Sequence, residues 1–146
     1  MTLTAKQALM QYIADPGMTE DELTEARHDH WGLTVFEYGN AEYAIGTDEE
    51  ANEAAREYIA DSLWAFNTSF IASHVKPRLN DKAEKALQKM QSELCEDAND
   101  LVTALINDLD HFITDAIHCD GRGHFLSSYD SEEIELNGGF YAYRIN

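Results

Sequence analysis

Positive charge is scarce in this sequence: ten lysines and arginines stand against twenty-eight aspartates and glutamates, for a formal net charge of −18 over 146 residues. A field of that sign and size repels nucleic acid and anionic membranes and attracts basic surfaces, which argues against direct DNA or RNA binding. Cysteine is almost absent. Cys95 and Cys119 are too few for the disulfide framework of a small secreted domain and match no zinc or redox spacing, so they read as reduced thiols. Long apolar runs are missing too: no stretch approaches the roughly 18 apolar residues of a membrane helix, and residues 1–7 lack the basic-then-apolar order of a secretion signal. The expected compartment is the cytoplasm. Signature catalytic motifs are also lacking, among them a phosphate-binding loop, a nucleophile elbow and a zincin pair, and Gly121-Arg122-Gly123 is too short to count as one. The sequence therefore calls for no enzyme activity and no cofactor.

What is present suffices for a core. The chain is 44% hydrophobic and 10% aromatic, and its length matches a single domain over residues 1–146. Apolar positions at Ala5, Ala8, Leu9, Tyr12 and Ile13 predict a short helix that ends at Asp15-Pro16-Gly17. Thr19 with Glu22 reads as a capping box for a second, running to about His28. Two β-type runs, 33–38 and 41–45, flank the turn dipeptide Gly39-Asn40 and predict a hairpin with no cleanly polar face. Thr47 with Glu50 is the clearest helix start, opening a helix over 47–70. A second long helical pattern covers 81–117, capped by Asn80 or Asp81, with a break expected near Asp97–Asp100 because a straight helix of that length would span about 55 Å. Runs at 124–129 and 139–145 read as further strands. The fold class is α+β: a sheet of about four strands packed with two long helices and short N-terminal ones.

The acids are not spread evenly. Glu49, Glu53, Glu57 and Asp61 recur every four residues and form a slowly winding carboxylate stripe, each step rising about 6 Å. That spacing is of the order of the distance between phosphates along one DNA strand, so such a row fits basic grooves built for the nucleic-acid backbone. Glu93, Glu96, Asp97 and Asp100 form a second cluster. The bases instead gather at Lys76, Arg78, Lys82, Lys85 and Lys89, and outside residues 76–89 five bases face twenty-six acids, a net of −21. These eight acids are the candidate contacts to a protein partner with a basic, nucleic-acid-binding surface. The bland alternative is that acidic helices are ordinarily just solvated.

A second constellation is His118, Cys119, Asp120 and His124, with His28 and His30. These ligand types suit zinc or another transition metal and point to metal binding or small-scale hydrolysis. A histidine at a helix end also favours the C-terminal dipole with no metal present. Tyr38, Tyr43, Tyr129, Phe140, Tyr141 and Tyr143 fall on expected strands. There they pack across the sheet or, where exposed, build an interface for a structural subunit or a homodimer.

The strings Ala41-Glu-Tyr-Ala-Ile-Gly-Thr-Asp-Glu-Glu-Ala51 and Asp120-Gly-Arg-Gly-His-Phe-Leu126, with the ending Phe140-Tyr-Ala-Tyr-Arg-Ile145, resemble those of small acidic proteins of uncharacterised function carried by bacteriophages and mobile elements. The resemblance implies a protein acting inside a bacterial host and assigns no site residues. In composition the chain also resembles the DNA mimics with which phages block restriction, CRISPR and other DNA-binding defences. Its basic stretch from Lys76 to Lys89 and its histidines depart from that pattern.

Overall fold

In the computed structural model, which describes residues 2–146, Thr4 opens helix α1 (Ala5–Ile13) with a full capping box. Its hydroxyl accepts from the Gln7 N–H, and the Gln7 side chain accepts from the Thr4 N–H. The helix ends at Ala14, whose left-handed backbone (φ 52°) precedes Asp15-Pro16. Thr19 and Glu22 do not open a second helix. Glu20–Glu22 make one 3-10 turn, and the chain then extends as β1 (Thr24–His30). Leu23 is the one buried residue between positions 19 and 28, so a helix there would have no apolar stripe to bury, whereas pairing with a neighbouring strand satisfies the backbone.

The hairpin forms as the sequence predicts, from β2 (Leu33–Tyr38) and β3 (Ala41–Thr47), with Tyr38 opposite Ala41. Gly39 supplies the positive φ (59°) of its two-residue turn. A second tight turn, Trp31-Gly32, with φ of 54° and 88°, joins β1 to β2 and is closed by the Asp29 carboxylate accepting from the Gly32 N–H. Two more strands, β4 (Ile134–Glu135) and β5 (Phe140–Arg144), complete an antiparallel sheet of order β1-β2-β3-β5-β4. It has five strands where about four were expected. One face packs Phe36, Tyr43, Ile45 and Ala142 with Ala8 and Leu9 of α1 and with Leu136. Val35, Ala44 and Tyr143, which alternate with these along the strands, are equally buried, so both faces are covered.

Helix α2 (Asp48–Asp61) begins with the expected box. The Thr47 N–H donates to Glu50 Oε1 at 2.9 Å and the Glu50 N–H to Thr47 Oγ1 at 3.2 Å. It does not reach Phe70. A 3-10 turn at Leu63–Ala65 intervenes, and a new helix, α3 (Thr68–Ser73), starts under the Asn67 cap. Two side chains hold this break. Gln91 Nε2 donates to the Trp64 and Phe66 carbonyls, both at 2.8 Å, and Asn99 accepts from the Trp64 N–H while donating to the Ala60 carbonyl.

The 81–117 pattern divides as well. Helix α4 (Asp81–Leu94) is capped by Asn80 and ends where Cys95 takes a positive φ of 50°. After a 3-10 turn at Cys95–Ala98, within two residues of the expected break, come α5 (Asn99–Leu105) and α6 (Leu109–Asp120). A second break, at 106–108, is marked by Asp108, which accepts from the His111 N–H. Residues 124–129 are not a strand. His124–Leu126 end a short helix, α7 (Arg122–Leu126), and 127–129 lie beyond it, because a run of that length is too short for its periodicity to separate helix from strand.

By internal contacts the chain forms two compact units, one of residues up to Tyr58 with Asp120–Asn146, the other Ile59–Cys119. Among the described residues no helix is long and apolar enough to cross a membrane.

Candidate functional site

The buried positions of α2 are Ala51, Ala54, Ala55 and Ile59. At 100° per residue Glu49, Glu53 and Glu57 fall on the opposite side of the helix, and all three are exposed. Asp61 is exposed at the helix end, where the stripe has wound away from that face. Of the second cluster, Glu93 lies on α4 at 4.0 Å from Lys89, Glu96 and Asp97 lie on the 3-10 turn, and Asp100 lies on α5, all exposed. The two groups differ in setting. The larger unit, which carries Glu49, Glu53 and Glu57, has eighteen acids and five bases, a net of −13, while Ile59–Cys119 has ten and five.

Arg122, in the larger unit, is heavily engaged. Its Nε donates to Glu133 at 2.7 Å and its Nη1 to Asp48 Oδ1 at 2.9 Å and Asn52 at 3.1 Å, and its guanidinium lies 4.7 Å from the Tyr141 ring. Burial opposes the charge on this side chain, which is 11% exposed, but Glu133, Tyr143 and Asp48 more than offset that and raise its pKa. The Tyr143 hydroxyl donates to the same Glu133 carboxylate, and burial followed by that bond drives the phenol's pKa well up. Gly123 completes the knot: a Cβ there would lie 2.6–2.7 Å from backbone atoms of Ser131, Glu132 and Glu133. This is structural wiring that fixes α7 and the start of α2 and spends positive charge internally.

The expected metal trio is not assembled within either unit. His118 lies in the smaller unit and Asp120 and His124 in the larger one, and all three are exposed. His28 is exposed on β1, and His30 is engaged with the Leu126 carbonyl at 2.8 Å. Of the aromatics expected on strands, Tyr43 and Tyr143 are buried on β3 and β5, while Tyr129 lies in a turn, 56% exposed, with the Arg144 guanidinium 3.8 Å from its ring.

A different trio converges in the smaller unit. His74 Nε2 lies 3.2 Å from Asp115 Oδ2, and His111 Nε2 lies 3.6 Å from the same oxygen. Sequence reading missed these residues. His111 and Asp115 stand one helical turn apart, which was a readable signal, but nothing local tied His74 to them. A cleft of about 400 Å³ opens beside the trio, with Ser73, Lys76 and Asn107 on its walls.

Compared with known proteins, the chain matches no family model, no curated protein and no solved structure.

Proposed function

We propose that the chain is a non-enzymatic acidic inhibitor or regulator that lays the outer face of α2 into a basic groove on a nucleic-acid-binding protein. The observation that carries this reading is the exposure of Glu49, Glu53 and Glu57 at one-turn intervals opposite the buried alanines, on a unit of net charge −13. Arg122, which lies in the same unit, is buried in its own ion pairs and does not dilute that face. Asp61 and the exposed cluster from Glu93 to Asp100 belong to the other unit and are candidate contacts in their own right. The resemblance to phage proteins supports a bacterial host factor as the target, with restriction and CRISPR nucleases as the candidate class.

The test is a paired capture from bacterial lysate with the wild type and the E49Q/E53Q/E57Q variant, followed by elution with duplex DNA. The reading expects a nucleic-acid-binding protein held by the wild type, released by DNA and by salt, and lost with the variant. Equal capture by both proteins, or a bound protein that DNA does not displace, refutes it.

A further inference from the structure

His74 is the C-cap of α3 and is held from several sides. Its carbonyl accepts from the Asn107 N–H at 3.2 Å, while the Asn107 side chain accepts from the Lys76 N–H, so one asparagine clamps the turn that carries the histidine. The ring sits in an aromatic bed, 5.0 Å from the Phe70 ring and 4.9 Å from that of Phe112, and the side chain is only 7% exposed. His111 and Asp115 reach the same point from one face of α6, with side chains 63% and 43% exposed. One nitrogen from each histidine and one Asp115 oxygen all lie within 4.8 Å of one another.

The separations fit shared coordination of one ion. A charge-assisted N–H to carboxylate bond closes to about 2.7–2.9 Å, and both contacts here are longer. Ligands on a tetrahedral zinc at about 2.0–2.1 Å stand roughly 3.3 Å apart, close to the observed 3.2 and 3.6 Å. Two imidazoles and one carboxylate suit a borderline transition metal and are too poor in oxygen for calcium or magnesium.

We infer that His74, His111 and Asp115 form a binding site for a divalent transition metal of the zinc class, with three protein ligands and a fourth position open to the cleft. The site is distinct from the acidic face of α2 and stands or falls separately from the function proposed for it.

The experiment uses the full chain, purified without a histidine tag and stripped with chelator, and titrates it with zinc and with cobalt(II). One equivalent bound, a raised melting temperature and the visible absorption of tetrahedral cobalt(II) are the expected results. His111 is largely exposed, so H111A keeps the fold. It should lower zinc affinity by at least ~100-fold, since losing a direct ligand exceeds the 10–100-fold loss typical of changing a residue that only hydrogen-bonds to a ligand. D115N should act in the same direction. The H118A/H124A and E49Q/E53Q/E57Q variants should bind as the wild type does, which separates this site from loose cation condensation on an acidic surface. Absence of stoichiometric binding, or binding untouched by both H111A and D115N, overturns the assignment and leaves the trio as a histidine–aspartate ion cluster.

Discussion

At the scale of single residues, Arg122 donates to Glu133, Asp48 and Asn52 and lies against Tyr141, so removing it strands several groups at once. Taking one partner from a buried ion pair costs about 3–5 kcal/mol, and R122A belongs at the low end because Glu133 and Asp48 remain partly hydrated. R122K should recover only part of the loss, since an ammonium cannot reproduce the guanidinium fork. Urea denaturation of the two variants measures both effects. G123A should cost about 1–3 kcal/mol by overpacking, because the added methyl meets backbone rather than a side chain that can swing aside. Tyr38 offers a readout in alkali. Its hydroxyl donates to Asp15 at 2.7 Å, and that bond first, with burial second, raises its pKa to about 12 from 10.0. A raised pKa means that the folded state holds the proton more tightly, so this stabilisation is complete below pH 10 and is lost as pH rises towards about 12. Phenolate absorbance should show D15N returning the Tyr38 titration towards 10.

At the scale of elements, the legible parts of the sequence were those whose signal is local. The Thr47–Glu50 box, the Gly39-Asn40 turn and the stop at Asp15-Pro16 each depend on neighbours within a few residues, and each formed as read. The failures are segments decided at a distance. Residues 47–70 and 81–117 keep helical periodicity through their breaks, and what interrupts the first is a pair of amides from the second, Gln91 and Asn99, more than twenty residues away. β1 became a strand because β2 offered it a partner, since its own composition is mostly charged and polar. The same logic governs the sites: the α2 carboxylates could be placed on one face from spacing alone, whereas the metal trio needed α3 and α6 to be brought together. It follows that Q91A should destabilise the smaller unit out of proportion to its size. Two carbonyls lose their donor and the Thr68 hydroxyl, which donates to Gln91 Oε1 at 2.8 Å, loses its acceptor. A cost of about 1–3 kcal/mol is expected for buried groups left unpaired. Amide hydrogen exchange should show it as faster exchange across Leu63–Ser73.

At the scale of the whole molecule, the acidity acts on stability. With a net charge of −18, folding concentrates like charges, and their repulsion subtracts from stability at low ionic strength. Raising sodium chloride shortens the screening length from roughly 10 Å at 0.1 M to roughly 3 Å at 1 M. The exposed Glu49, Glu53 and Glu57 should therefore repel one another less, while the Arg122–Glu133 pair, whose guanidinium is 11% exposed, is screened less. The melting temperature should rise with salt, and it should rise less for E49Q/E53Q/E57Q, in which part of the repulsion is already gone. Acid provides the opposing test. Protonating surface carboxylates first relieves repulsion, but Asp130 works the other way. Hydrogen bonds from the Ser127 hydroxyl and then the Glu132 N–H lower its pKa below 3.8, so its contribution is present above that value and disappears as pH falls beneath it. Stability should accordingly hold or increase on going from neutral pH towards the sequence pI near 4.4 and fall below it. In D130N the fall below that point should be shallower, because the pH-dependent part of this contact has been removed, and thermal melts across the pH series decide between the two profiles.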